Sequence, residues 1–268
     1  MKSYYRSFED AIEITRQALV KYGKEVEVGH WQGVDVKGKP DMVTFELLNH
    51  SFTCAISPDI DELKRQIHPN LPWADDHFLE RVGGVGLNPG VQYANWPYYR
   101  NKENDKFRTE GGKFSHTYME RIWPNNVEDR DVGYDESLRF IQGIRYRYGD
   151  LDDVVNLLVR EPLTRQAFLP IWFPEDTGSH HGGRVPCTLG YQFMCRDGEL
   201  HIWYPIRACD FIRHFRDDIY LACRLLLWVL DELKQKDYDT WKDTRPGKLT
   251  MQIYSLHVFK AETHLLRR

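Results

Sequence analysis

Residues 184–218 read RVPCTLGYQFMCRDGELHIWYPIRACDFIRHFRDD, and this stretch decides the fold. After the rigid Pro186-Cys187 step, Thr188 to Phe193 alternates as a strand does. The turn Arg196-Asp197-Gly198 then leads into a second strand, Glu199 to Tyr204. Cys187 therefore falls at a strand edge. Arg207 ends that hairpin, where a fixed guanidinium can hold a phosphate and lower the thiol's pKa. The pair suggests a thiolate nucleophile acting on a phosphorylated substrate. A cysteine standing alone at a strand end is more often a small buried hydrophobe, so the function depends on what surrounds it.

Working outward, apolar spacing predicts helices over Phe8–Tyr22, Asp59–Ile67, Trp73–Val82, Glu136–Arg147, Leu151–Val159 and Ile219–Leu233. Strands are expected over Met42–Ile56, Ala167–Phe173 and Leu249–Phe259. Residues 83–112 and 124–133 read as irregular connections rich in Gly, Asn and charge. His180-His181 lies in a polar loop with no third ligand at a metal-type spacing, so it reads as exposed linker.

The 268 residues, 41% of them hydrophobic, suffice for one substantial core, and residues 1–268 are taken as a single domain. A net charge of -4 gives no global cationic field for nucleic acid. No apolar run is long enough to span a membrane, and the N-terminus lacks a secretory core, so a cytoplasmic location is expected. Five cysteines are an odd count without zinc spacing, which points to reduced thiols and no metal. Eight Trp and fifteen Tyr suit both core packing and stacking on flat ligands.

Four motifs in order then carry a resemblance to the thymidylate synthase superfamily. They are Pro186-Cys187 with Gln192, Arg207-Ala208-Cys209-Asp210, the Phe-centred turn Phe215-Arg216-Asp217-Asp218, and Ser255-Leu256-His257-Val258-Phe259. Cys187-Thr188, Phe-Arg-x-Asp and Ser-Leu-His-Val look most like the deoxycytidylate and cytidylate 5-hydroxymethylase branch. The resemblance implies an α+β fold with a large mixed sheet, packed helices and a homodimer formed through the sheet. It also implies a pyrimidine nucleoside monophosphate as substrate and 5,10-methylenetetrahydrofolate as co-substrate.

By the same resemblance Cys187 is the nucleophile and Glu80, in Phe78-Leu79-Glu80-Arg81, the residue that manages protons, with Glu62 a competitor. Asp218 reads the base. Arg207 and the Arg165 of a second copy hold the phosphate, Gln192 and Ala208 line the nucleotide, and His257 and Phe259 meet the sugar. Asp210 faces the pterin, and Tyr118 and Trp123 line the folate cleft. The phosphate clamp departs from the pattern. Trp31 and Gln32 stand where a basic residue is usual, leaving Lys37 or Lys39 as substitutes, and Gln166 replaces a second arginine.

Thymidylate synthases carry Asn where Asp218 stands. An ionised Asp only accepts hydrogen bonds, so it is repelled by O4 of uracil and matched by the exocyclic amine of cytosine. Ala208 and Phe259 replace a Ser and a Tyr, deleting two hydroxyls near phosphate and sugar, which leans the reading toward CMP over dCMP. Only residues 260–268 follow the last motif, so the folate side is expected to be open to water, the final nucleophile. Three rivals stay open: a C5-methylating thymidylate-type enzyme, a Cys187–His257 hydrolase, and a non-catalytic nucleotide-binding relative.

Overall fold

The computed structural model describes residues 4–31, 34–98, 108, 111–126, 149–177 and 184–267. Gln32, the expected helix over Glu136–Arg147 and the His180-His181 pair lie outside them. In chain order the elements are β1 (Tyr4–Tyr5), α1 (Phe8–Tyr22), β2 (Lys24–Val26), β3 (His30–Trp31), β4 (Val34–Asp35), β5 (Thr44–Ala55), α2 (Ile60–Ile67) and α3 (Trp73–Arg81). There follow α4 (Tyr118–Ile122), α5 (Leu151–Arg160), β6 (Phe168–Pro170), β7 (Gly190–Arg196), β8 (Glu199–Asp210), α6 (Phe215–Lys236), α7 (Tyr238–Trp241) and β9 (Arg245–Phe259).

Local chemistry explains the helix starts. Ser7 Oγ accepts from Asp10 N at 3.1 Å to cap α1, which buries Phe8, Ala11, Ile12, Thr15, Ala18 and Leu19 at helical spacing. Asp150 caps α5 in a reciprocal box with Asp153. The helix expected from Ile219 instead begins at Phe215, so Phe215-Arg216-Asp217-Asp218 is a first helical turn and not a loop turn. Asp218 is thereby fixed on a rigid element.

One mixed sheet runs in the order β1-β5-β9-β8-β7-β6, with β2 also on β5. β8 and β9 are parallel and α6 crosses between them, while β5–β9, β7–β8 and β6–β7 are antiparallel. The β7–β8 hairpin turns at Asp197 (φ 52) and Gly198 (φ 73), the left-handed pair that a tight twisted hairpin demands. Helix α6 buries Ile219, Leu226, Val229, Leu230 and Leu233 in the common core.

The central strands change buried side partway along. On β9, Leu249, Met251 and Ile253 face the core, then Leu256 and Val258 do. On β8 the buried run Leu200, Ile202, Tyr204, Ile206 gives way to Cys209. On β5 the same level holds Asn49 at φ 54. Since side chains alternate with period two, this switch turns Cys209 toward α6 along with Tyr204. Both reach Asp218.

Candidate active site

Cys187 lies just ahead of β7, where Thr188 bridges Ile206 and Arg207 N donates to the Cys187 carbonyl at 2.9 Å. The Arg207 guanidinium folds back over the same segment. Its Nε donates to Pro186 O at 2.8 Å, its Nη2 to Val185 O at 3.0 Å, and Nη2 lies 3.8 Å from Cys187 Sγ. Nearby, a Cβ on Gly190 would meet the Phe168 ring at 2.3 Å and Leu169 O at 2.6 Å, so β6 seats against β7 only because that residue is glycine.

The arginine does not lower the thiol's pKa on balance, which corrects the expectation from sequence. Burial dominates, Arg207 and Arg184 only partly oppose it, and the Asp218 charge adds to it, so Cys187 sits above its ordinary value. The resting side chain is a thiol.

Two neighbouring aspartates on α6 have different duties. Asp217 is committed to Asn70, accepting from its backbone N and from Nδ2, each at 2.8 Å. Asp218 faces the sheet, where the Cys209 thiol donates to its Oδ2 at 3.5 Å and the Tyr204 hydroxyl acts on the same carboxylate to hold its pKa down. Tyr204 Oη is 3.0 Å from Thr188 Oγ1, and Thr188 Oγ1 donates to Tyr118 Oη at 3.3 Å. Tyr191 stacks on Tyr204 at 4.8 Å. A chain of hydroxyls thus links the residue beside Cys187 to Asp218. Burial pushes the Asp218 carboxyl up to about 7, with Arg81 opposing and Asp217 adding to the rise.

Glu80 sits behind this cleft. Its Oε1 accepts from Gln92 N at 3.1 Å and its Oε2 is 3.3 Å from His77 Nδ1. Gly90 passes so close that a Cβ there would fall 2.3 Å from the carboxylate. His77 Nε2 in turn accepts from Arg81 Nε at 2.9 Å, and Arg81 lies 4.4 Å over the Tyr118 ring. Burial, then the Arg81 charge, lowers His77 to about 4. The competitor Glu62 is bound on α2 to Arg65 and, at 2.6 Å, to Gln66. Trp123 is 2% exposed and donates from Nε1 to Arg81 O at 2.8 Å. It is a core ring, so the expected place on a folate cleft is corrected: its apolar area is covered by the core, including Trp228 in edge contact at 6.4 Å.

The other candidates divide similarly. Asp210 Oδ1 accepts from Ile212 N at 2.9 Å and Arg213 N at 3.0 Å, holding the 211–214 turn, and burial raises its pKa. His257 pairs with Asp210 across β8–β9. Phe259 is buried, edge-on to His257 at 5.8 Å and to Trp31 at 6.2 Å. Ala208 is half-buried on β8. Gln192 Nε2 donates to Ala167 O at 3.1 Å and so ties β7 to β6. Arg165, Gln166, Lys37 and Lys39 are exposed on loops.

Sequence reasoning missed Arg81, Tyr191, Tyr204, Arg184 and the Trp96–His214 stack, whose rings lie 5.1 Å apart. Tyr191 and Tyr204 were legible only as inward positions of strands. Among the described residues no group of three His, Cys, Asp or Glu is placed to hold a metal, and no helix is long and apolar enough to cross a membrane.

This sheet with its packed helices is the thymidylate synthase fold. The thermostable thymidylate synthase A of Bacillus subtilis matches it with a TM-score of 0.64 over 97% of this chain and 82% of that one, at 14% identity. No family model matches the sequence. A Methanosarcina barkeri protein named "Putative thymidylate synthase" is 28% identical over 135 residues, 50% of this chain and 55% of the relative. One of the same name from Methanococcoides burtonii is 25% identical over 138 residues, 52% of this chain and 57% of the relative. The chain spans about half the length of the curated relatives it matches.

Proposed function

We propose that this chain is a pyrimidine nucleotide C5 one-carbon transferase and, within that class, a cytidylate 5-hydroxymethylase. The observation that carries the reading is Cys187, contacted by Arg207 and within electrostatic reach of Asp218. The thymidylate synthase fold and the printed names of the relatives support the class.

The Cys187 sulfur adds to C6 of the pyrimidine as its proton passes to solvent, and the C5–C6 π pair moves to C5, which becomes the nucleophile of the next bond; the C5 proton and then the sulfur leave to restore the ring. Because the resting thiol is protonated, proton loss accompanies addition. Asp218 accepts from the exocyclic amine of cytosine, and Tyr204 and Cys209 fix its carboxylate so that the base meets a set geometry. Arg207 Nη1, which no protein atom takes among the described residues, is left for the phosphate. Arg165 of a second copy is its expected helper. The half-buried Trp96–His214 stack beside the Asp210 turn offers the flat surface a pterin fits. When bound, 5,10-methylenetetrahydrofolate supplies the one-carbon unit, and water completes the hydroxymethyl group.

The relatives' names favour a second reading, thymidylate-type methylation of a uracil nucleotide, and Asp218 favours cytosine. Product analysis by mass spectrometry of CMP, dCMP and dUMP incubated with methylenetetrahydrofolate and labelled water distinguishes them. Label in a hydroxymethylcytosine product with release of tetrahydrofolate supports the first. A methylated uracil with release of dihydrofolate rejects it.

A further inference from the structure

Resting on that reading of the site, we propose that Arg81 is a ligand contact. Its guanidinium, aimed by the Glu80–His77 pair and backed by Tyr118, donates to an acceptor on the same flat ring whose amino or N–H edge Asp218 accepts.

Arg81 is 9% exposed, yet only one of its nitrogens is bonded: Nε donates to His77 Nε2. A guanidinium carries five N–H donors, and its terminal nitrogens meet no protein acceptor among the described residues. Burying a charge with open donors is costly unless a partner arrives. The carboxylates nearest in effect do not supply one. Asp217 is taken by Asn70, and Asp218 makes no ion pair with Arg81 although Arg81 is the strongest charge acting on it.

The surrounding contacts aim the group without closing it off. His77 Nε2 accepts from Arg81, so its proton is on Nδ1 and is donated to Glu80 Oε2. Trp73 stacks on the imidazole at 4.8 Å and keeps it in plane. Glu80 is pinned by Gln92 N, and Tyr118 covers one face of the guanidinium at 4.4 Å. Carboxylate, imidazole and guanidinium thus form a line ending in the cleft. Glu80 acts in this arrangement as a positioning residue for Arg81.

The ligand's chemistry follows from the two ends. Arg81 donates only and selects an acceptor, while ionised Asp218 accepts only and selects a donor. Above about pH 7, where Asp218 is ionised, a phosphate in this corner would face its charge. A donor beside an acceptor on one planar edge is found in cytosine, whose amine flanks ring N3, and in a pterin, whose ring N–H flanks its oxo group. Either source satisfies the same pair.

The test is calorimetric titration of CMP, dCMP and tetrahydrofolate into wild type, Arg81→Gln, Arg81→Lys, Glu80→Gln and His77→Phe, with circular dichroism as the fold control. The expected result is that Arg81→Gln weakens one ring ligand by about tenfold to a hundredfold, as loss of a charged hydrogen bond does. Loss confined to the nucleotides identifies the base, and loss confined to tetrahydrofolate identifies the pterin. Arg81→Lys recovers part of the affinity, because a lysine keeps the charge but lacks the fork. Glu80→Gln and His77→Phe weaken the same ligand several-fold.

If Arg81→Gln does not fold, Arg81→Lys decides. Folded arginine variants that bind all three ligands within about twofold of wild type overturn the proposal. So do Glu80→Gln and His77→Phe variants that both leave all three affinities unchanged, since the line then aims nothing. A wild type that binds none of the three removes the functional reading, and this proposal falls with it.

Discussion

The residues proposed for the ring and those proposed for the phosphate are built differently. At the base end Asp218, Tyr204, Cys209, Thr188, Tyr118 and Arg81 come from helices and central strands and bond or stack on one another. Of the residues expected at the phosphate, Arg165, Gln166, Lys37 and Lys39 stand exposed on loops, and Arg207 already gives Nε and Nη2 to backbone carbonyls. Exposed lysines and arginines on loops gain little from any one contact, whereas fixed donors in a buried site discriminate strongly. On the proposed function, the difference teaches that selection rests chiefly on the ring.

The sharpest way to break that comparison is at the nucleophile. Cys187→Ala removes the bond-forming atom and little binding surface, so turnover should disappear while titration still shows nucleotide binding close to wild type. More than a few per cent residual turnover would exclude Cys187 as the nucleophile.

Asp218→Asn tests the ring end next. The amide restores a donor-acceptor pair for uracil, and sites that hydrogen-bond a substrate group discriminate by up to roughly four orders of magnitude. The ratio of kcat/KM for dCMP over dUMP should collapse toward or below unity. A variant that keeps full cytosine activity and still ignores dUMP would show that another group reads the base.

The same substitution has a stability signature. Burial raises the folded-state pKa of Asp218 to about 7, from the ordinary 3.8. Between these values the native state holds a proton that the unfolded state has lost, so stability falls as pH rises from about 4 to 7 and the full loss persists above. Its size is on the order of 4 kcal/mol. Other groups also titrate, so the difference is the observable. Denaturant melts of Asp218→Asn should show a gain over wild type that is larger at pH 8 than at pH 5, and equal gains at both pH values would contradict the buried-carboxyl account.

The smallest effect belongs to the sugar. Ala208→Ser restores one hydroxyl, and a neutral hydrogen bond contributes about 0.5–1.5 kcal/mol. Wild type should favour CMP over dCMP by about tenfold in kcat/KM, with the serine variant moving toward dCMP. Wild type favouring dCMP by that margin reverses the assignment.

Much of this was legible in the sequence because it is local. The helix at Phe8–Tyr22 follows from apolar spacing, and the β7–β8 hairpin from Asp197-Gly198. The Cys187, Arg207 and Asp218 motifs sit on one continuous stretch, so their order alone suggested a shared site. What escaped is set by tertiary packing. Nothing in Phe78-Leu79-Glu80-Arg81 tells which of the two charges turns inward, and here His77 and the 90–92 loop hold the glutamate back and leave the arginine forward. Trp123 reads the same as a ligand platform or a core ring until Trp228 and Arg81 O are placed against it. The sign of the Cys187 shift likewise depends on burial, which outweighs the nearby arginines.

The most direct test of the central claim, that Cys187 adds to C6 of a cytosine nucleotide, is tritium release from CMP and dCMP labelled at C5, measured with methylenetetrahydrofolate present. Wild type should release tritium to water from at least one of them, and Cys187→Ala should release none. No release from either nucleotide, or equal release by the alanine variant, would contradict it.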